Sequence, residues 1–172
     1  MSPSHRLSDI NALSGEEFVR LIGPVFEHSP WIAERTCLKR PFGSIEAIHK
    51  ALCETVRQAA PQEQLNLIQA HPDLVGRAAL AGTLTSASNS EQASAGLNKL
   101  TQQEITTFQD FNQAYRDRFG FPFVICARLN KKEAILNAFP TRLRHSREEE
   151  IRAALDEIYK IAYLRLNDIV AE

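Results

Sequence analysis

The chain has 172 residues, 44% hydrophobic and 24% charged, which is the make-up of a globular domain and excludes a disordered or collagen-like chain. Its 20 Lys and Arg against 21 Asp and Glu leave a net charge of −1, so no electrostatic feature points to nucleic acid or an anionic membrane surface. The longest uninterrupted apolar run, Phe123 to Ala127, is far short of the about 20 residues that a membrane span needs.

In chain order, Met1 to Arg6 are followed by no apolar stretch and predict no secretory signal. Ser14-Gly15-Glu16-Glu17 reads as a capping box, opening a helix with Phe18, Leu21, Ile22, Val25 and Phe26 on one face; Pro24 bends it or ends it early. Ser29-Pro30 predicts an N-cap with Pro at the first helical position. Ser44 opens a third helix carrying Ile45, Ile48, Leu52 and Val56. Pro61 opens a fourth, which stops near His71-Pro72 because a residue before Pro disfavours the helical region. Residues 73 to 97 are small, polar and punctuated by Gly76, Gly82 and Gly96, and predict short helices and loops. Thr101 to Glu104 form a second capping box, with a helix up to Gly120. Phe121 to Ala127 reads as an extended apolar segment. Asn130 caps a helix to about Phe139, where Pro140 interrupts. Ser146 to Glu149 form a third box and start the longest helix, about 147 to 170.

The expected fold is therefore all-α: one domain over residues 1–172, a bundle of about seven to eight helices with at most one short extended segment. The cysteines Cys37, Cys53 and Cys126 make no CxxC pair and read as reduced thiols. The chain's last residues, Ile169 to Glu172, match no peroxisomal or ER-retention address, which gives a cytoplasmic expectation.

Three polar residues stand out. At about 100° per residue, Arg165 falls on the apolar stripe of Ile151, Leu155, Ile158, Ala162 and Ile169. A guanidinium keeps its charge, so an anion must meet it: a carboxylate from a neighbouring helix, or the carboxylate of a ligand matched to its planar fork. His71 sits at a helix end and is either a capping histidine or an acid–base group. Glu91 follows the polar stretch Ser88-Asn89-Ser90, where pattern alone reads Ser88 or Ser90 as a helix cap and Glu91 as a first-turn acid. The charge cluster Arg142, Arg144, His145, Arg147 to Glu150 reads as a solvated helix start. No spacing of His and Cys makes a metal site, and no Gly-rich phosphate loop or G-x-S-x-G elbow is present.

Four segments taken together, His71-Pro72-Asp73-Leu74-Val75-Gly76, Ser90-Glu91-Gln92 with Ala95-Gly96-Leu97, Phe119-Gly120-Phe121-Pro122-Phe123-Val124, and Leu164-Arg165-Leu166, resemble the signature of the 2-oxo-4-hydroxy-4-carboxy-5-ureidoimidazoline (OHCU) decarboxylases. The resemblance covers nearly the whole chain. It implies an all-helical, cofactor-free homodimer that takes OHCU to (S)-allantoin in urate breakdown, with a small-molecule substrate and product as its ligands. It implies His71, Glu91 and Arg165 as catalytic residues converging on one site. It implies Pro72, Ser88, Asn89, Ser90, Gln92 and the segment Phe123, Val124, Ile125, Cys126 and Ala127 as substrate-binding, the last through backbone groups. It leaves open whether Glu91 orients His71 or contacts the ureido N–H groups.

The chemistry is consistent with an absent electron sink in the sequence. The leaving carboxylate sits on a carbon next to an imidazoline C=N, which accepts the electron pair. The protein then has to align the breaking bond, stabilise charge and protonate one face of the neighbouring carbon. A non-catalytic helical module, binding a partner or sensing a small molecule, accounts equally for the capped helices, and for Arg165 in an apolar stripe only if a partner helix supplies the anion. A thiol enzyme using Cys126 is the third possibility, against which stands an apolar setting without a neighbouring base.

Overall fold

The computed structural model describes residues 5–172; Met1 to Ser4, on which part of the N-terminal expectation falls, lie outside the described residues. The chain forms two units, residues up to Ala70 together with Tyr159–Glu172, and His71–Ile158. Ten α-helices are present among the described residues, and none is long and apolar enough to cross a membrane.

In the first unit, α1 (Leu7–Ala12), α2 (Gly15–Ile22), α3 (Trp31–Thr36), α4 (Ile45–Gln58) and α5 (Pro61–Gln69) are joined by the C-terminal part of α10 (Arg147–Ile169). The expected caps form: Ser14 and Ser44 accept the backbone N–H of Glu17 and Ala47, and Glu17 returns a bond to the Ser14 N–H. Each cap satisfies donors that a helix start otherwise leaves open. α3 packs on both α2 and α4, burying Phe18, Ile22, Ile32, Ile48, Leu52 and Val56. Pro24 lies in a 3-10 turn, Gly23–Val25, that ends α2 early. The chain ends pair: β1 (His5–Arg6) and β2 (Val170–Ala171) run parallel, with His5 opposite Val170.

In the second unit, α6 (Arg77–Ala81), α7 (Ser86–Ser94), α8 (Gln102–Phe119), α9 (Lys132–Arg142) and the start of α10 surround an aromatic core. The Phe123 and Phe139 rings stack with centroids 3.9 Å apart, and Tyr115 meets Phe123 edge-on at 5.3 Å. Such pairs contribute beyond their buried area. Gly120 closes α8 at φ 79°, a left-handed position where a side chain is disfavoured.

The all-α expectation holds, with more and shorter helices than the seven or eight read from periodicity. α1 is too short to carry a period, and the 73–97 region holds two brief helices. Four boundaries differ. Lys131, not Asn130, is the N-cap of α9, and the Asn130 amide donates to the Cys126 carbonyl instead. α3 begins at Trp31 with Pro30 as its N-cap. Thr85, not Ser88 or Ser90, caps α7, so Glu91 lies inside the helix rather than in its first turn. Pro140 lies inside α9, two residues before its end, rather than ending it, and its missing N–H takes one backbone bond from the last turn. The cluster read as a solvated helix start is only partly so, because Arg142 and Glu150 are buried.

Candidate functional site

His71 follows Ala70, the C-cap of α5, and is buried. The five residues after it form a tight loop held from two helices. Gln92 on α7 uses both ends of its amide: Oε1 accepts the Val75 N–H at 3.1 Å and Nε2 donates to the Asp73 carbonyl at 3.3 Å. Asn112 on α8 donates to the Leu74 carbonyl at 2.7 Å. Arg116 Nε donates to both Asp73 carboxylate oxygens at 3.0 Å. This anchoring is needed because the loop is strained. Val75 has φ 54°, a left-handed conformation that is a genuine outlier for a β-branched residue. At Gly76 a Cβ would lie 2.6 Å from Asp73 Cβ, so only glycine fits the close approach. Pro72 opens onto a cleft lined by Asp73, Gly76, Arg77, Asn112 and Arg116.

α7 carries Ser88 and Gln92 on its buried face, Glu91 half-buried beside them, and Asn89 and Ser90 exposed. Its C-terminal end is tied to the chain leading into α9: the Lys132 N–H donates to the Ala95 carbonyl at 3.1 Å and Lys131 Nζ to the Ser94 carbonyl at 3.0 Å. α7 also packs on the 3-10 turn Ala127–Leu129. Through Gln92 on one side and this turn on the other, α7 gathers the His71 loop, Glu91 and the segment ending at Ala127 within one unit.

Phe121 to Cys126 run without helix or ladder into the 3-10 turn at Ala127, and the residues Phe123, Val124, Ile125, Cys126 and Ala127 are all buried. The Cys126 N–H donates to Glu157 Oε2 at 3.0 Å, and the Asn130 amide donates to the Cys126 carbonyl at 2.9 Å. Burial pushes the Cys126 thiol up, and the carboxylates of Glu157 and Glu91 act in the same direction, which opposes a thiolate nucleophile there.

Arg165 belongs to the first unit and is 6% exposed. Its Nη2 donates to Glu27 Oε1 at 2.8 Å, and Nη1 reaches the Pro24 carbonyl at 3.4 Å. The anion demanded by a cation on an apolar stripe is thus supplied by a protein carboxylate that is itself 3% exposed. His28, at φ 45°, places Nε2 3.8 Å from the other Glu27 oxygen. In the same unit, His49 Nε2 lies 2.8 Å from the Tyr159 carbonyl and 3.3 Å from Cys53 Sγ. A carbonyl only accepts, so that nitrogen carries its proton and is no base for the thiol. Burial raises the Cys53 thiol to about 11. Among the described residues, no group of His, Cys, Asp and Glu stands where it would hold a metal ion.

Sequence patterning misses the anchors. Gln92 is expected to touch substrate, yet its amide is committed to the loop backbone. Asn112 reads as an ordinary polar helix position, and Glu27 follows an apolar run with no periodic mark. Arg142 and Glu150 sit among like charges. Only Gly76 carries a visible signal, as a glycine four residues beyond Pro72.

A family model described as OHCU decarboxylase matches residues 11–167. The 2-oxo-4-hydroxy-4-carboxy-5-ureidoimidazoline decarboxylase of Haloferax volcanii is 44% identical over 160 residues, covering 93% of this chain and 93% of the relative. Among solved structures, a crystal structure of (S)-allantoin synthase matches with TM-score 0.76 and 28% identity, covering 95% of this chain, which spans 54% of that one. A crystal structure of OHCU decarboxylase in the presence of (S)-allantoin matches with TM-score 0.69 and 21% identity over 90% of this chain and 96% of that chain, a likeness of fold.

Proposed function

The chain belongs to the OHCU decarboxylase family, and we propose from that premise how it removes carbon dioxide from OHCU to give (S)-allantoin in urate breakdown. The substrate supplies the electron sink: the pair left behind by the departing carboxylate forms a double bond to the neighbouring carbon, and the C=N pair moves onto the imidazoline nitrogen, which takes a proton. The hydroxyl on the same carbon becomes a carbonyl as its proton leaves. The neighbouring carbon then takes a proton on one face and becomes the stereocentre of the product.

His71 is assigned the proton transfers, as acid or base at the hydroxyl or the neighbouring carbon. Glu91 either orients His71 or accepts the ureido N–H groups. Backbone groups of Phe123 to Ala127 hold the imidazoline and ureido edges, with Pro72, Ser88, Asn89, Ser90 and Gln92 bordering them. What carries the assignment is the anchoring of a strained loop beside His71 by a residue adjacent to Glu91: Gln92 holds Val75 at φ 54° through a 3.1 Å bond. Strain held in place by several independent bonds is characteristic of positioned functional groups.

Arg165 is assigned to charge stabilisation on the resemblance of Leu164-Arg165-Leu166, with Glu27 fixing its guanidinium. Loss of decarboxylation in Arg165→Lys, with the melting temperature largely kept, supports this; an active Arg165→Lys removes it. Catalysis without cofactor is part of the same proposal, as are a homodimer and cytoplasmic placement. Activity that survives dialysis against a chelator, and a sedimentation mass near twice 19.3 kDa, are the expected results for the first two.

The test of the site uses freshly generated OHCU with the wild-type chain, His71→Ala and Glu91→Gln. Both variants are expected to fold and to lose at least about a hundredfold in kcat, the scale of an acid–base contribution. Wild-type turnover by either variant overturns its assignment.

A further inference from the structure

Arg142 and Glu150 form a buried charged cluster that the proposed reaction does not use. Glu150 is fully buried, and its carboxylate takes three bonds: Tyr115 Oη at 2.5 Å, Arg142 Nε at 2.8 Å and His145 Nδ1 at 2.8 Å. Burial and the Glu150 carboxylate hold the Tyr115 hydroxyl far above its usual range, so it remains a donor. Arg142 lies over the Phe123 ring at 4.3 Å and donates from Nη1 to the Val124 carbonyl at 2.5 Å. Its Nη2 is buried with no partner among the described residues.

The guanidinium is thus fixed at one end on Glu150 and at the other on the Val124 carbonyl. The consequence lies in the strap. The peptide after Val124 is trans, since the cis bond is at Arg40-Pro41. In a trans peptide the carbonyl and the following N–H point in opposite directions. Fixing the Val124 carbonyl on Arg142 therefore turns the Ile125 N–H away from the charged cluster. The next donor, the Cys126 N–H, is committed to Glu157.

We propose that Arg142, held by Glu150, is a positioning residue that sets the orientation of the strap peptides Val124 to Cys126. The inference rests on the reading of this strap as substrate-binding. Lysine cannot replace the guanidinium, because one ammonium cannot hold Glu150 and the Val124 carbonyl in a planar fork.

The test compares R142K and E150Q with the wild type and with His71→Asn. In R142K, KM for fresh OHCU is expected to rise about tenfold or more, with kcat reduced less, because a misplaced strap weakens holding. His71→Asn is expected to show the reverse, losing kcat with KM kept. Amide hydrogen exchange gives a reading independent of activity: the Cys126 N–H should exchange about tenfold faster in R142K, with α8 protection unchanged. If R142K does not fold, E150Q carries the same expectations. Unchanged KM and unchanged Cys126 exchange in a folded variant overturn the proposal. A wild-type chain that leaves OHCU untouched defeats the decarboxylase reading instead, while the exchange measurement still decides whether Arg142 holds the strap.

Discussion

Glu27 and Arg165 show how a single misplaced charge is resolved. Both side chains are nearly sealed from water and joined at 2.8 Å. Removing one partner of such a pair leaves a bare buried charge, at a cost of about 3–5 kcal/mol, whereas replacing both with apolar groups is often neutral. Glu27→Ala is therefore expected to lower stability by about that much in chemical unfolding. The double variant Glu27→Leu with Arg165→Met should recover most of it and remain inactive. Recovered activity in the double variant would make the pair purely structural. Arg165 is legible in the sequence, because a cation on an apolar stripe violates helical patterning. Glu27 is not, because its partner lies far along the chain and no local period marks it. His71 and Glu91 are legible only through the company of their motifs, since a histidine at a helix end and an acid after serines are each ordinary alone.

At the scale of elements, legibility follows local chemistry. The capping boxes at Ser14 and Ser146 are recognisable because donor and acceptor lie three residues apart, and both form as read; at Thr101 the hydroxyl accepts the Glu104 N–H, but the Glu104 carboxylate pairs with Lys132 and the Thr101 hydroxyl rather than closing the box on the Thr101 N–H. The Gly120 stop and the start of α4 at Ser44 are read for the same reason. The 73–97 region is legible only as irregular: its shape comes from Gln92, Asn112 and Arg116 reaching back from later helices. Those bonds predict an outcome. Gln92→Leu keeps the side-chain bulk but strands the buried Val75 N–H, costing about 1–3 kcal/mol. It also frees a loop that is strained at Val75. We expect a lower melting temperature together with a loss of kcat larger than the unfolded fraction explains. A variant that melts early yet turns over normally at low temperature would reduce Gln92 to a stabilising role.

At the scale of the whole molecule, composition and periodicity suffice for an all-α fold, because most of its helices carry their own caps and apolar faces. They do not suffice to say in which unit each proposed site residue falls. His71, Glu91 and the strap belong to one unit and Arg165 to the other. The strap is a plain apolar run in sequence, and its buried charged support is hidden in a mixed-charge stretch that looks solvated. The reaction assigned to the chain makes a chiral product from a substrate that, as the family resemblance implies, decays unaided to a racemate. Stereochemistry thus reports catalysis even against a spontaneous background. The decisive measurement is the optical activity of the allantoin formed from fresh OHCU. The wild-type chain is expected to give the S enantiomer alone and His71→Ala a racemate; a racemic product from the wild type, formed no faster than in buffer, would contradict the account.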